Sequence, residues 1–387
     1  MGFVISLHDS GGPVRDTLLA RAMTLALPAP HASMRCCVVV PARNEAVALP
    51  ALIESLASQC DLAGAVLDPA TFEVVLLLNN CTDGTAAVAA ALSRSYSQIR
   101  LQIAELSFDV DEAHVGRARQ ALFDLAFARF HTMQRPHGVI LTTDADSRPA
   151  ADWIAQTEAE IAKGVVGVGG RITLDPGEAV NLPVGVRRFL LLDIGYRRAL
   201  EELRSLYAPE AHDPFPRHHQ HFGGSLAVTA AAYAHAGGMP LRRTNEDVAL
   251  YRAIVDTGGR FRHSHTVRVQ TSARLIGRAQ GGMADALGWW QQQAHSATPV
   301  MVESADAAEV RLAALGLWCA DNPGRIPPAS LRMTPDSPPS ERTAEIHATL
   351  RALRNACAAL RPLSLAARLM QASGRFVELP DMLGLAA

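Results

Sequence analysis

The chain of 387 residues contains one lysine, Lys163, so almost all of its positive charge is arginine. That scarcity excludes a Gly-Lys-Ser/Thr phosphate-binding loop and leaves Lys163 as the sole candidate for a Schiff base or lysine general base. A basic excess is missing as well. Thirty-six Lys and Arg face thirty-eight Asp and Glu, a formal net charge of -2, which lacks the electrostatic footprint of a nucleic-acid binder. The six cysteines (Cys36, Cys37, Cys60, Cys81, Cys319, Cys357) include no C-x-x-C pair. They read as reduced thiols of a cytoplasmic protein, with no zinc or dithiol motif among them. No apolar run approaches the roughly 18 residues of a membrane span. The stretch "VRDTLLARAMTLALPAPHAS" is apolar enough to suggest a signal peptide, but Arg21 interrupts its core and no basic cluster precedes it. A short amphipathic extension is expected there instead.

What is present is an ordinary globular composition, 49% hydrophobic and 19% charged, long enough for two to three domains at roughly 150 residues each. After residue 34 short apolar runs alternate with amphipathic segments. "CCVVVP", "FEVVLLLNN", "IRLQIAEL" and "HGVILTTDADS" read as strands. The first helix between them should turn Val47, Leu49, Leu52, Ile53 and Leu56 to one face, with Pro50 in its opening turns. Strands apolar on both faces, alternating with helices, indicate a mostly parallel sheet covered on both sides. Ligands of such sheets bind beyond the carboxyl ends of the strands. Asn44-Glu45, Asn79-Asn80 and Asp144-Ala145-Asp146 follow three of the four runs and should therefore meet in one crevice. The second half is less regular. Residues 181–207 read as a helix, 214–225 as a His-, Pro- and Gly-rich loop, and "NEDVALYRAIVDTGG" as a helix capped by Thr244 or Asn245 and ended by Gly258-Gly259. Beyond about residue 285 the pattern is helical, broken near "NPGRIPPAS" and by a linker at "TPDSPPSE".

Three segments carry chemistry. In "TTDADS", Asp144 and Asp146 leave a buried strand one residue apart, a spacing that lets two carboxylates address one hard cation bridging to phosphate oxygens. Turn and helix-cap chemistry explains the same pair without a ligand. "VVVPARNE" and "LLLNNCTDGT" each place acids and amides at a strand-to-helix turn, which is also what capping requires. In "NEDVAL", Glu246 and Asp247 sit in a helix first turn. Dipole stabilisation accounts for both, and so does a general base.

Taken together and in this order, these segments resemble family 2 glycosyltransferases of the GT-A type. "VVVPARNE" is similar to that family's opening strand, "LLNNCTDGT" to its acidic turn and "HVGRARQAL" to its Gly-Lys-Ala helix. "TTDADS" is similar to its D-x-D, "FGGSLAVTAAAYAHAGGMP" to its Gly-Gly segment and "NEDVALYRAI" to its T-E-D helix, over about residues 36–275. The resemblance implies an α/β GT-A (Rossmann-like) domain with a mostly parallel sheet over 35–280, between an N-terminal extension (1–34) and a C-terminal helical region (281–387). It implies that Pro41, Ala42, Glu45 and Asn79 bind the nucleotide, with Arg117 nearby. Asp144, Ala145 and Asp146 would hold the ribose and a metal–diphosphate, with Mg²⁺ or Mn²⁺ on Asp144 and Asp146. Gly223, Gly224 and Ser225 would line the sugar side. Glu246 and Asp247 would be catalytic, Asp247 as the base. A late metal-binding histidine would be His265 or its neighbour His263.

The sequence also departs from the family. Asn79 stands where an aspartate usually reads the base. The Q-x-x-R-W motif of processive synthases is absent, with "VQTSARLIGRAQGG" in its place. The "HHQH" run lacks metal-ligand spacing and reads as a mobile acceptor loop. A haloacid dehalogenase-like phosphatase would need a lysine far from the D-x-D, and Lys163 lies close behind it. The expected function is thus a metal-dependent, non-processive transfer of a sugar from a nucleotide-diphosphate donor to a hydroxyl acceptor, with inversion. A retaining enzyme resembling glucosyl-3-phosphoglycerate synthase and a degenerate sugar-nucleotide-binding protein are the alternatives. The C-terminal helices either shape the acceptor pocket or mediate homodimerisation, and the sequence leaves both open.

Overall fold

A computed structural model describes residues 12–22, 27–277, 281–296, 299–332 and 340–375. Residues 333–339, which hold most of the expected linker, and 278–280 lie outside them. The chain divides into two units. One combines the described residues up to Asn181 with Gln220–Ala286, and the other combines Leu182–His219 with the chain from Leu287 onwards.

The first unit alternates helix and strand in the order α1 (Gly12–Arg21), β1 (Cys36–Ala42), α2 (Leu49–Ala57), β2 (Phe72–Asn79), α3 (Thr85–Ser95), β3 (Leu101–Leu106), α4 (Val115–Thr132) and β4 (Val139–Thr142). It continues through β5 (Ser147–Pro149), α5 (Trp153–Ala162), β6 (Gly167–Leu174) and α6 (Pro176–Ala179). The second unit then supplies α7 (Val184–Tyr207), after which β7 (Leu226–Thr229), α8 (Ala230–His235), α9 (Glu246–Asp256) and β8 (Phe261–Thr271) return to the first.

The eight strands form one sheet in the order β3-β2-β1-β4-β7-β6-β8-β5. β3, β2, β1 and β4 are parallel neighbours, as their unbroken apolar runs predict. β7 is inserted antiparallel between β4 and β6, β8 runs parallel to β6, and β5 is antiparallel to β8. The sheet is therefore mostly parallel, with two reversed strands that apolar runs alone do not announce.

Strand side chains alternate faces, and each face of the sheet has its own cover. Cys36, Val38 and Val40 of β1 join Val74, Leu76 and Leu78 of β2 in a core with Leu49, Leu52, Ile53 and Leu56 of α2 and Trp153 and Ile154 of α5. Val47, expected on that face, is 96% exposed, because α2 begins only at Leu49 and Val47 lies in the preceding turn. On the opposite face, Glu73 interrupts the β2 run yet is fully buried. Arg129 of α4 grips it with two prongs, Nε–Oε1 at 2.5 Å and Nη2–Oε2 at 2.6 Å. The N-terminal helix α1 is fastened to α4 on this side. Leu18 is fully buried, and Arg21 donates to both oxygens of Asp124 at 3.1 Å, where the Tyr233 hydroxyl also donates at 2.6 Å. Burial raises the Asp124 carboxyl above its ordinary range, against the pull of Arg21 and Tyr233.

In the second unit, α7 packs with α11 (Ala305–Asp321), α13 (Ile346–Leu360) and α14 (Leu365–Arg375), α12 (Ala329–Arg332) lies against α11, and Phe189 of α7 stacks on Trp290 of α10 (Met283–Ser296). β9 (Met301–Glu303) and β10 (Thr343–Glu345) form a short antiparallel ribbon. Arg217 is buried here among Glu201, Glu210 and Asp213, at 2.7 to 2.8 Å. Among the described residues, no helix is long and apolar enough to cross a membrane.

The Arg129–Glu73 pair yields a stability prediction. Removing one member strands a buried charge, so Arg129→Met should cost about 3–5 kcal/mol, whereas Arg129→Met with Glu73→Leu should recover most of it. Urea unfolding of the two variants beside wild type checks this. Equal losses in the single and double variants would show that the ion pair does not set the cost.

Candidate active site

The carboxyl ends of the parallel strands gather the polar segments. After β1 the chain turns at Asn44, which adopts a left-handed conformation (φ 57°), one that Asn tolerates better than most residues. The Asn44 Oδ1 accepts from the Thr82 N–H at 2.8 Å, and the Glu45 N–H donates to Thr85 Oγ1 at 2.9 Å. Asp83 accepts from both the backbone N–H and the hydroxyl of Thr85. The turns after β1 and β2 are thereby bonded into one rim. Pro41 is half-buried and Ala42 buried at the end of β1. Asn79 ends β2, buried, and its Oδ1 has no hydrogen-bond partner.

Asp144, Ala145 and Asp146 follow β4. Because β7 is antiparallel to β4, with Leu226 opposite Thr142, the residues just before β7 lie against those just after β4. The Thr143 hydroxyl donates to the Gly224 carbonyl at 2.9 Å. A Cβ on Gly224 would lie 3.2 Å from Asp144 Oδ2, so this glycine keeps space open beside the carboxylate. Ser225 is buried below and accepts from the Trp153 indole at 3.0 Å. On the other side, β5 runs antiparallel to the end of β8, with Ser147 opposite Thr271. The residues after β8 accordingly return across Asp146.

Two arginines hold these acids. Arg119 of α4, 4% exposed, donates to Asp144 Oδ1 at 2.7 Å and pairs with the buried Glu246 at the start of α9. Arg274, in the segment after β8, forks onto Glu45 at 3.0 and 3.1 Å and reaches Asp146 Oδ2 at 2.8 Å. Asp247, next to Glu246, accepts from the Gly223 N–H at 2.6 Å and from the Val248 N–H at 2.7 Å. A cleft of about 300 Å³ opens here, lined among others by Glu45, Asp146, Ser147, Thr271, Ser272 and Arg274.

The acids depend on one another. The Asp146 carboxyl is pushed up to about 6 by its removal from water and by Asp144, with Arg274 acting against the rise. Asp144 and Glu246 are also raised, first by burial and then by Asp247, while Arg119 opposes both. Glu45, Asp144, Asp146, Glu246 and Asp247 outnumber Arg119 and Arg274, so the crevice holds surplus negative charge. Among the described residues, no three His, Cys, Asp or Glu side chains form a closed metal-ligand set. A cation here would take one or two carboxylates and complete its shell from a ligand's oxygens, which is how Mg²⁺ usually sits with phosphates.

Some residues singled out in the sequence lie elsewhere. Arg117 turns to Gln120 at 3.1 Å and to Glu112 at 3.6 Å, with its guanidinium over the Phe108 ring. His265 is exposed on β8, in the bulge between Ser264, opposite Gly170 of β6, and Arg268, opposite Arg171, and not at the Thr271 end of the strand that adjoins Asp146. His263 is buried and bonded to His221 at 3.3 Å, and His221 stacks on Tyr251 with ring centroids 3.9 Å apart. Gln220 pairs its amide with both backbone groups of Ile172 at 2.8 and 3.0 Å. The Gln220–His221 end of the expected mobile loop is thus tied to β6 and β8. Asn245 stands at the start of α9 in a left-handed conformation without a side-chain cap bond.

Arg119 and Arg274 were not singled out from the sequence. For Arg119 a signal exists. It is four and eight residues from Phe123 and Phe127, so it shares the buried stripe of α4, whereas Arg117, two residues away, points elsewhere. For Arg274 the cause is the β5–β8 register, which no local pattern encodes.

Residues 37–211 match the family model of Glycosyl transferase family 2. No curated protein matches the chain. Among solved structures, the S. aureus TarS fragment 1–349 in complex with UDP is 15% identical with a TM-score of 0.43, covering 68% of this chain and 72% of that one. The mannosyltransferase PcManGT from Pyrobaculum calidifontis, in complex with GDP-Man and Mn²⁺, is 18% identical with a TM-score of 0.42 over 95% of each chain. Glucosyl-3-phosphoglycerate synthase from Mycobacterium tuberculosis, with Mn²⁺, UDP and phosphoglyceric acid, is 14% identical with a TM-score of 0.37 over 74% of this chain and 86% of that one.

A Cβ on Gly223 would overlap the Arg119 guanidinium, which its two acids hold in place. Gly223→Ala should therefore destabilise by about 1–3 kcal/mol through overpacking. Gly288→Ala, on an open helix position, should instead stabilise by up to about 1 kcal/mol. Thermal melting of both variants distinguishes this close approach from a general cost of replacing glycine.

Proposed function

We propose that this chain, which carries a glycosyl transferase family 2 domain at residues 37–211, transfers a sugar from a nucleoside-diphosphate donor to a hydroxyl acceptor with help from a divalent cation. One observation carries the reading: Glu45 and the Asp144–Asp146 pair follow β1 and β4, and Asp247 bonds the Gly223 N–H in the segment that lies against Asp144, at the carboxyl ends of the strands where ligands of such sheets bind.

The residues fit each part of that donor. Asp144 keeps one oxygen beside the space left open by Gly224, and Asp146 keeps Oδ1 with only a long 3.5 Å contact from Thr271. Together they offer a cation two carboxylates and room for phosphate oxygens. Bound there, Mg²⁺ or Mn²⁺ would supply a Lewis acid for the charge that builds on the departing diphosphate. The unmet acceptor of Asn79, at the end of β2, supports a role in holding the nucleotide. Pro41, Ala42 and Glu45 on the neighbouring rim belong to the same proposal.

For the acceptor, Asp247 is assigned the base. Two backbone N–H groups orient its carboxylate, and it is only half-buried. A carboxylate in that condition can take a proton from an attacking hydroxyl, which leads to inversion when the attack is in line. Glu246 is buried against Arg119 and is assigned to positioning. Gly223 and Gly224 would border the sugar, with Ser225 supporting them from below.

Thermal melting with UDP, GDP and their sugar conjugates, each with and without Mn²⁺, tests the reading. One nucleotide family should raise the melting temperature only when metal is present. A ligand at 100 times its dissociation constant adds about 2.7 kcal/mol. Asp146→Asn should abolish the metal dependence. Asp247→Asn should keep donor binding and lose turnover by about 10²–10⁴-fold. Donor binding indifferent to metal and to Asp146 would sink the proposal, and wild-type turnover in Asp247→Asn would remove the base.

A further inference from the structure

One oxygen of Asp146, the carboxylate proposed to meet the divalent cation, is already held by a cation of the chain itself. Arg274 forks onto Glu45 at 3.0 and 3.1 Å and touches Asp146 Oδ2 at 2.8 Å. These carboxylates are only 8% and 13% exposed, while the arginine is 30% exposed. Two nearly buried acids cannot stay charged beside Asp144 without a counter-charge, and Arg274 supplies it.

This arrangement fits a protein with no donor bound and obstructs a divalent cation. A metal settling on Asp146 would meet a fixed positive charge at about the hydrogen-bond distance from its own ligand, a repulsion that low local dielectric strengthens. The guanidinium must therefore leave Asp146 for the metal to bind well. It has the means to do so. Ser272, Ala273 and Arg274 follow the last residue of β8 in no helix or strand, anchored through Glu178, which accepts from the Ser272 hydroxyl at 2.8 Å and the Ala273 N–H at 2.7 Å. The backbone is thus anchored up to Arg274, whose N–H bonds the Ser272 hydroxyl at 3.2 Å, and a change of partner by the partly exposed guanidinium needs only side-chain rotation. A diphosphate presents paired oxygens in the geometry that Glu45 presents now, and an arginine fork recognises both.

We propose that Arg274 is the resident counter-ion of the donor site. It competes with the divalent cation for Asp146 when no nucleotide is present, and moves to the donor's diphosphate when metal and nucleotide bind together. This inference rests on the donor reading above. Its consequence is coupling: metal alone binds poorly, and nucleotide strengthens metal binding by giving the displaced guanidinium a new partner. By linkage, metal strengthens nucleotide binding by the same factor.

The experiment measures Mn²⁺ binding to the full chain from the electron paramagnetic resonance signal of free Mn²⁺, with and without UDP or GDP, whichever wild type prefers. Arg274→Gln should bind Mn²⁺ alone about tenfold or more tightly than wild type, because the competing charge is gone. The nucleotide's enhancement of Mn²⁺ binding should shrink by a similar factor. Arg274→Lys, which keeps the charge without the fork, should fall between them. It also guards against misfolding of the glutamine variant. Unchanged or weaker Mn²⁺ binding in Arg274→Gln, with wild type binding both ligands normally, overturns the role of Arg274 and leaves the donor reading standing. Failure of wild type to bind Mn²⁺ with or without either nucleotide overturns both.

Discussion

The site depends on a guanidinium that water barely reaches. Arg119 is 4% exposed and cannot lose its proton, so burial is tolerable only while carboxylates surround it. Asp144 from the end of β4 and Glu246 from the start of α9 supply them, and α4 supplies the arginine. Three elements distant in sequence are thereby held at one point. The same contact dictates glycine at position 223, since the backbone there runs against the guanidinium. That backbone in turn presents the N–H that orients Asp247. A single buried charge thus sets the distance between the D-x-D segment and the proposed base.

The wider crevice follows from an imbalance of charge. Five carboxylates share two arginines, and Glu45, Asp144 and Asp247 raise their neighbours' affinity for protons. A fold with no use for such a surplus would relieve it with a third basic side chain or with apolar replacements. This chain keeps the surplus and sets one of its two arginines, Arg274, on a segment outside regular structure. The partial exposure of Arg274, against the near-complete burial of Arg119, separates a counter-ion able to exchange from one that cannot. The pair divides the labour of the site between fixed geometry and adjustable charge.

Much of the first unit is legible in sequence because its signals are local. Continuous apolar runs mark β1 to β4, and the acid-bearing turns after them are written next to the strands they follow. Asp144, Asp146 and Asp247 are identified by neighbours within a few residues. What is not legible depends on partners far along the chain. The reversed β7 and the β5–β8 pairing bring Gly223–Ser225 and Arg274 to the crevice through register, and a one-residue slip would send them elsewhere. Glu73 reads as a blemish in an apolar strand until Arg129, 56 residues on, is seen gripping it. Arg117 is marked only by the resemblance of its helix, whereas Arg119 is carried on that helix's own buried face. The helix at Val184–Tyr207 gives no local sign that it packs with segments more than a hundred residues later.

The reversal of β7 explains why the site is built as it is. In a wholly parallel sheet every strand begins at the edge opposite the ligand, so only the residues after a strand can serve the crevice. A strand inserted the other way brings its preceding loop to that edge. Gly223–Ser225 arrive by this route, beside Asp144 and below Asp247, with Gly170 of β6 so close to Ser225 that a side chain there would overlap it. The Asp144 carboxylate is opposed by the backbone of Gly223 and Gly224, which bring no side chain against it, as the proposed approach of a sugar and diphosphate would need. Glycine at 223 is thus demanded by the Arg119 guanidinium, and Gly224 keeps a tight space open beside Asp144, both because the antiparallel neighbour puts one loop against the other.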